Sequence, residues 1–136
     1  MVIAVIRITG QVGLNADVKE TLFRWRMRKK YVCVLVEENR ENDIVLKRIR
    51  NLVAFGKIND ETLKKLVTVR AERLAGVKLD HEKVFKEAKI AKIVSAKPFF
   101  RLHPPIGGAD TKVHFPKGIL GDNGEDINKL LMRMIK

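Results

Sequence analysis

The fold of this chain is decided by residues 31–58, YVCVLVEENRENDIVLKRIRNLVAFGKI. The segment opens with a nearly continuous apolar run, YVCVLVEE, which predicts a buried strand. Polar residues follow, among them Asn42 and Asp43 as candidate helix caps, and apolar side chains then recur at helical spacing from Val45 to Leu52. The closing VAFGKI predicts another short strand, so the segment is a strand-helix-strand unit.

The residues upstream have the same organisation. VIAVIRITG, residues 2–10, is short, β-branched and closed by glycine, which predicts a buried strand. Leu14, Val18, Leu22 and Trp25 then recur at helical spacing after the candidate cap Asn15, so a helix with an apolar stripe is predicted there. The first 58 residues therefore predict a β-α-β-α-β core in which both helices can pack on one face of a sheet.

The second half has a different character. NDETLKKLVTVRAERL predicts a helix, and LDHEKVFKEA predicts a shorter one that starts at Asp80. KIAKIV is a candidate strand. The segment 97–118 holds all four prolines and three of the nine glycines, so an extended, turn-rich arm is expected before a closing helix in GEDINKLLMRMIK. We thus predict a core of residues 1–58 and an extension of residues 59–136.

The charge of the chain indicates its partner. There are 28 Lys and Arg residues against 16 Asp and Glu, a formal net charge of +12, and such an excess favours a polyanion as the ligand. No apolar run is long enough to span a bilayer and the N-terminus does not resemble a signal peptide, so a cytoplasmic protein without a membrane partner is expected. The one cysteine, Cys33, lies within the apolar strand and is predicted to be buried.

The basic residues are grouped in a way that favours RNA. The densest group is five basic residues in seven positions at the end of the first predicted helix, where Trp25 is expected to anchor the helix end. Arginine grips phosphate with two hydrogen bonds and stacks on unpaired bases, which favours folded RNA over plain duplex. The predicted RNA-binding residues are Arg24, Arg26, Arg28, Lys29 and Lys30 in the first group, Lys47, Arg48 and Arg50 on the second helix, and Arg101, His103, Lys112, His114 and Lys117 on the arm.

Catalytic patterns are absent from the sequence. The three histidines lie far apart without metal-ligand spacing, and no nucleophile motif or phosphate-binding loop is found. Glu37, Glu38 and Asp43 could hold Mg²⁺, but a solvated loop and helix cap explain them more simply. We predict no enzymatic activity, metal, cofactor or small-molecule substrate. Two alternatives remain open, a metal-dependent RNA nuclease and a non-ribosomal RNA-binding regulatory module.

The order of these elements resembles one protein family. The helix end with Leu22, Trp25 and Met27, the basic residues that follow, the strand YVCVLVEE and the ending RIRNLVAFGKI are similar to the large-ribosomal-subunit protein numbered thirty in bacteria and archaea and seven in eukaryotes. FFRLHPPIGG and GEDINKLLMRMI resemble the arm and closing helix of the longer archaeal and eukaryotic branch. Trp25 departs from the pattern, since the family usually has a smaller aliphatic residue there.

The resemblance implies both a fold and a function. The implied fold contains both helices and strands, in the class α/β (α+β), with a two-layer core and an antiparallel sheet. It is similar to ferredoxin-like folds and carries an appended C-terminal subdomain. The function is that of a structural constituent of the large ribosomal subunit. Such a protein would bind 23S ribosomal RNA near the 5S region and contact neighbouring ribosomal proteins in the cytoplasm.

Overall fold

The computed structural model describes residues 2–8, 16–27, 29–50, 52–72, 78, 80–89, 99–103 and 120–135. The strands are β1 (Val2–Arg7), β2 (Val32–Glu37), β3 (Val53–Lys57), β4 (Phe100–Arg101) and β5 (Gly121–Asp122). The helices are α1 (Ala16–Arg24), α2 (Arg40–Ile49), α3 (Asp60–Arg70), α4 (His81–Lys89) and α5 (Ile127–Met134), and a short 3-10 turn (Gly124–Asp126) precedes α5.

The five strands form one sheet in the order β4-β2-β1-β3-β5. The central strand β1 is antiparallel to both β2 and β3, and β4 is antiparallel to β2, whereas β5 pairs with β3 in parallel. All six residues of β1 are buried, which explains why its sequence is apolar on both faces. The predicted α+β class and the antiparallel core are confirmed, and the short β5 makes the sheet mixed.

Helices cover both faces of the sheet. On one face, Ile3 and Val5 of β1 pack in a hydrophobic cluster with Leu22 of α1 and with residues of α2. On the other face, Ala4 and Ile6 belong to a second cluster that includes residues of α3, α4 and α5. The predicted packing of α1 and α2 on one face is therefore observed, and the helices of residues 59–135 share a core with β1 on the opposite face.

The strand register defines two ends of the sheet. Arg7 pairs with Val53 where β1 finishes and β3 begins, and we call this the Arg7 end. Val2 pairs with Glu37 where β1 begins and β2 finishes, and we call this the Glu37 end. Because α2 connects the finish of β2 to the start of β3, it runs from the Glu37 end to the Arg7 end.

The start of α2 differs from the prediction that Asn42 or Asp43 caps it. The cap is Asn39, whose side-chain oxygen accepts a hydrogen bond from the Asn42 amide at 2.8 Å. Residues 40–43, expected to be loop, instead form the first turn, where Glu41 and Asp43 stabilise the positive end of the helix dipole. The helix therefore begins earlier than the apolar spacing indicated.

Two short strands were not predicted, β4 within the Pro/Gly-rich arm and β5 just after it. β4 and β5 have two residues each and border the sheet on opposite edges. Phe100 is fully buried in the cluster on the α3–α5 face. Most of the arm and most of the candidate strand KIAKIV lie outside the described residues. The closing helix is confirmed, with Ile127, Leu130, Leu131 and Met134 buried as expected.

Candidate nucleic-acid interface

The C-terminus of α1 reverses the chain through a left-handed residue. The Met27 amide donates to the Leu22 carbonyl at 2.9 Å and the Arg26 amide to the Phe23 carbonyl at 3.0 Å, which is the hydrogen-bond pattern of a Schellman motif. Arg26 occupies the left-handed position of that motif with φ of 63°, where glycine is the usual residue. The helix thus ends at Arg24, and the strained residue that follows it is Arg26.

Met27 anchors the described residues between α1 and β2, which are residues 25–27 and 29–31 and which we call the basic connection. Met27 is fully buried in the same cluster as Leu22, whereas Trp25 is half-buried at the margin of that cluster. The predicted anchoring role of Trp25 therefore belongs chiefly to Met27. The sequence places Met27 among basic residues, outside the predicted apolar stripe of the helix. Arg26 and Lys29 extend into solvent on either side of this buried side chain.

Arg7, which is not among the predicted RNA-binding residues, forms hydrogen bonds to the main chain of the basic connection. Its side chain is 2% exposed, and its guanidinium Nη1 donates to the Met27 carbonyl at 2.7 Å. Its own carbonyl accepts from the Tyr31 amide at 2.6 Å. Burial of the guanidinium lowers the pKa of Arg7. The only sequence signal for this residue is a charge at the end of a short apolar strand.

Tyr31 links the basic connection to the neighbouring edge of the sheet. It also has a left-handed backbone, with φ of 63°, and its carbonyl accepts from the Leu102 amide at 3.0 Å. The adjacent residue Arg101 pairs in register with Val32, and the His103 amide donates to the Met134 carbonyl at 3.0 Å. Arg101 and His103 are both exposed, so two of the predicted arm residues lie at the Arg7 end.

The cations at the Arg7 end differ in whether a carboxylate of the chain already neutralises them. Arg24 forms an ion pair with Glu20 at 2.6 Å, and Arg101 forms one with Glu72 at 3.7 Å. Arg26, Lys29 and Lys30 are exposed, and the described residues supply no ion-pair partner for any of them. These three cations are therefore available to an external anion.

The basic residues of α2 have mixed surroundings. Lys47, Arg48 and Arg50 are exposed near the C-terminus of the helix. Lys47 and Arg50 line a cleft of about 820 Å³ between α2 and the β3–β5 edge. The same cleft is lined by four carboxylates, those of Glu38, Asp43, Asp122 and Glu125. The other predicted RNA-binding residues, Arg28, Lys112, His114 and Lys117, lie outside the described residues.

The acidic residues considered for Mg²⁺ lie toward the opposite end of the sheet. Glu38 is 3.5 Å from Lys57 Nζ, so its charge is partly met within the chain. Across the part of the chain that the structure describes, no three His, Cys, Asp or Glu side chains are grouped closely enough to hold a metal ion. None of the helices within the described ranges is long and apolar enough to cross a membrane.

The fold and the site define a basic α+β protein in which exposed cations, unpaired among the described residues, surround a buried framework at one end of the sheet. No model of a protein family matches the chain. The chain is 35% identical to large ribosomal subunit protein uL30 of Archaeoglobus fulgidus, over 96% of this chain and 98% of that protein. It is 35% identical to uL30 of Desulfurococcus amylolyticus, over 97% of each, and 34% identical to uL30 of Methanococcus vannielii, over 99% and 100%.

The chain belongs to the uL30 family of large ribosomal subunit proteins. The resemblance found in the sequence is thereby confirmed over nearly the whole length of the chain. Membership also confirms the prediction of a ribosomal structural protein rather than an enzyme.

Proposed function

We propose that this chain is a structural constituent of the large ribosomal subunit and that it binds 23S ribosomal RNA, near the 5S region, through its Arg7 end. The observation that carries the proposal is the set of exposed cations Arg26, Lys29 and Lys30, which have no ion-pair partner among the described residues and border a buried anchor. Relatives of nearly the same length are named as proteins of the large ribosomal subunit.

The chemistry of binding is phosphate neutralisation. Each Lys or Arg that contacts a backbone phosphate releases condensed counterions, so affinity comes with a strong dependence on salt. Such contacts fix the position of the protein on the RNA and respond to its shape more than to its sequence. The basic connection would set the protein against the sugar-phosphate backbone where RNA segments pack closely.

The helix dipoles make side-chain charge necessary at this end. The C-terminus of α2 and that of α1 both lie toward the Arg7 end, and helix C-termini carry partial negative charge. An anion approaching there gains nothing from the helices themselves. Cations must therefore supply the attraction, and those at the ends of α1 and α2 also offset the dipoles.

The remaining predicted contacts extend the same surface. Arg101 and His103 lie beside the basic connection on the β4 edge, and Lys47, Arg48 and Arg50 lie at the end of α2. Arg101 already has a carboxylate partner, and Lys47 and Arg50 share a cleft with four carboxylates, so we expect each of these three residues to add less than Lys29 or Lys30. Neighbouring ribosomal proteins are the other proposed partners.

Sucrose-gradient fractionation of a native lysate tests this function. The full chain is followed at low and high salt with an antibody or a small tag. We expect it to sediment with large subunits at low salt and to be released as salt rises. A chain that stays at the top of the gradient under both conditions contradicts the proposal, whether it is a soluble dimer or an RNA-cleaving enzyme.

A further inference from the structure

We infer that Arg7 is a positioning residue for RNA binding: it fixes the shape of the basic connection before RNA arrives, without itself contacting RNA. The inference rests on the proposed function, because the connection matters only if Arg26, Lys29 and Lys30 meet phosphate. Nothing in the sequence pattern or in the names of the relatives assigns this role to Arg7.

Arg7 holds the basic connection at two points. Its guanidinium binds the Met27 carbonyl and its main-chain carbonyl binds the Tyr31 amide, at 2.7 and 2.6 Å. Lys29 and Lys30 lie between these two points in the chain and are exposed. Arg7, the last residue of the central strand, therefore fixes the position of the main chain on both sides of the two lysines.

The backbone on either side of the lysines is strained, which makes such a tie necessary. Arg26 and Tyr31 are the non-glycine residues with positive φ among those described, and within the connection they lie on either side of Lys29 and Lys30. A non-glycine residue stays in this conformation only when its surroundings hold it there. Burial of Met27 and the two bonds to Arg7 provide that restraint.

A buried arginine is an unusual choice for a purely structural tie. Burying a guanidinium carries a large desolvation cost, and an apolar side chain of similar size would fill the same space without it. Arginine offers a charge-assisted bond to a carbonyl, which is stronger and more directional than a neutral one. A connection fixed in this way loses less conformational entropy when RNA binds, and this raises affinity.

The test compares Arg7→Met with a matched control, Arg70→Met. Arg70 is half-buried and, like Arg7, donates from its guanidinium to a main-chain carbonyl, that of Ile135, but α3 packs on the face of the sheet opposite to the cluster that holds Met27. Each substitution removes a guanidinium that donates to a main-chain carbonyl. The full-length variants are titrated with purified large-subunit ribosomal RNA at 0.1 M salt, with folding checked by circular dichroism.

We expect Arg7→Met to weaken RNA binding about tenfold, the equivalent of one phosphate contact at this salt concentration, and Arg70→Met to leave it unchanged. Amide exchange should accelerate at Tyr31 in Arg7→Met and stay slow there in Arg70→Met. Equal affinities for the two variants would overturn the inference.

Arg7→Lys separates positioning from charge, and it decides the question if Arg7→Met does not fold. Lysine keeps the positive charge but lacks the planar fork of guanidinium donors. We expect it to bind RNA more weakly than the wild type and to retain fast exchange at Tyr31. Wild-type affinity in Arg7→Lys would show that Arg7 acts by charge alone. Failure of the wild type itself to bind this RNA would instead contradict the proposed function.

Discussion

The Arg7 end and the Glu37 end of the same sheet differ in how their backbone is held. At the Glu37 end, α2 and α3 begin on asparagine caps, Asn39 and Asn59, and carboxylates occupy their first turns. At the Arg7 end, Arg26, two residues after the end of α1, has a left-handed conformation, and so does Tyr31, just before β2. Local rules are followed at one end and broken at the other, and a broken rule is expected where function constrains the sequence.

The largest expected effect on stability comes from adding a methyl group to the closely packed Glu37 end. A Cβ atom on Gly56 would overlap the Gly124 carbonyl oxygen and lie 2.9 Å from Ile127 Cβ, so the turn before α5 could no longer approach β3. We expect Gly56→Ala to lower the free energy of unfolding by about 3 kcal/mol, measured by urea denaturation. The folded fraction should still bind ribosomal RNA normally.

Gly124→Ala is the control for that experiment. It has φ of 54° but open space around the added methyl group, so only backbone strain of about 1 kcal/mol is expected. Equal losses in the two variants would mean that close packing does not determine stability at this end. Weakened RNA binding by folded Gly56→Ala would mean that the two ends are not independent.

Arg26→Gly should change stability and binding in opposite directions. Glycine relieves the left-handed strain, so the free energy of unfolding should rise by about 1 kcal/mol. Loss of one phosphate contact should weaken RNA binding about tenfold at 0.1 M salt. Arg26→Ala serves as the control, because it removes the charge and keeps the strain. A glycine variant that is no more stable than the alanine variant would show that Arg26 is not strained.

The smallest effect concerns Cys33, which lies beneath the Arg7 end and pairs in register with Ile6 and Phe100. Burial raises the pKa of the Cys33 thiol to about 12, although a backbone hydrogen bond involving Val5 acts in the opposite direction. The unfolded thiol ionises at lower pH than the folded one. Its contribution to stability is therefore complete at neutral pH and falls as pH rises from about 9 toward 12.

Thiol alkylation and urea denaturation test this prediction together. Cys33 should resist iodoacetamide in the native protein at pH 8 and react after unfolding. Cys33→Ala has no thiol to ionise, so its free energy of unfolding should fall less than that of the wild type as pH rises from about 9 toward 12. Rapid alkylation of the native protein would show that strain at the Arg7 end loosens the sheet below it.

Much of the fold could be predicted because its signals are local. The buried strands β1 and β2 are continuous apolar runs, and the stripe of α5 names its four buried residues directly. The strands β4 and β5 could not be predicted, since two residues have no periodicity and their pairing depends on the rest of the sheet. Asn39 was missed because the polar run around it contains several equivalent capping residues.

The candidate interface was less predictable because its order depends on tertiary contacts. Sequence spacing identifies a dense basic run but does not show that Met27 inside it is fully buried. It cannot distinguish Arg24 and Arg101, which have carboxylate partners, from Lys29 and Lys30. Arg7 lies twenty residues from the carbonyl that its side chain binds, and no local pattern connects two such positions.

The central claim is that the Arg7 end binds ribosomal RNA phosphates, and the salt dependence of binding tests it most directly. Lys29→Glu/Lys30→Glu is compared with the wild type and with Lys64→Glu/Lys65→Glu, which makes the same charge change at exposed positions of α3 on the opposite face. The affinity of each protein for purified large-subunit ribosomal RNA is measured from about 0.05 to 0.3 M salt. Over this range the Debye length shortens about twofold.

We expect the slope of log affinity against log salt to fall by about two in Lys29→Glu/Lys30→Glu, one for each lost phosphate contact. The α3 variant should keep the wild-type slope. Equal slopes for all three proteins, or a larger loss in the α3 variant, would contradict the account.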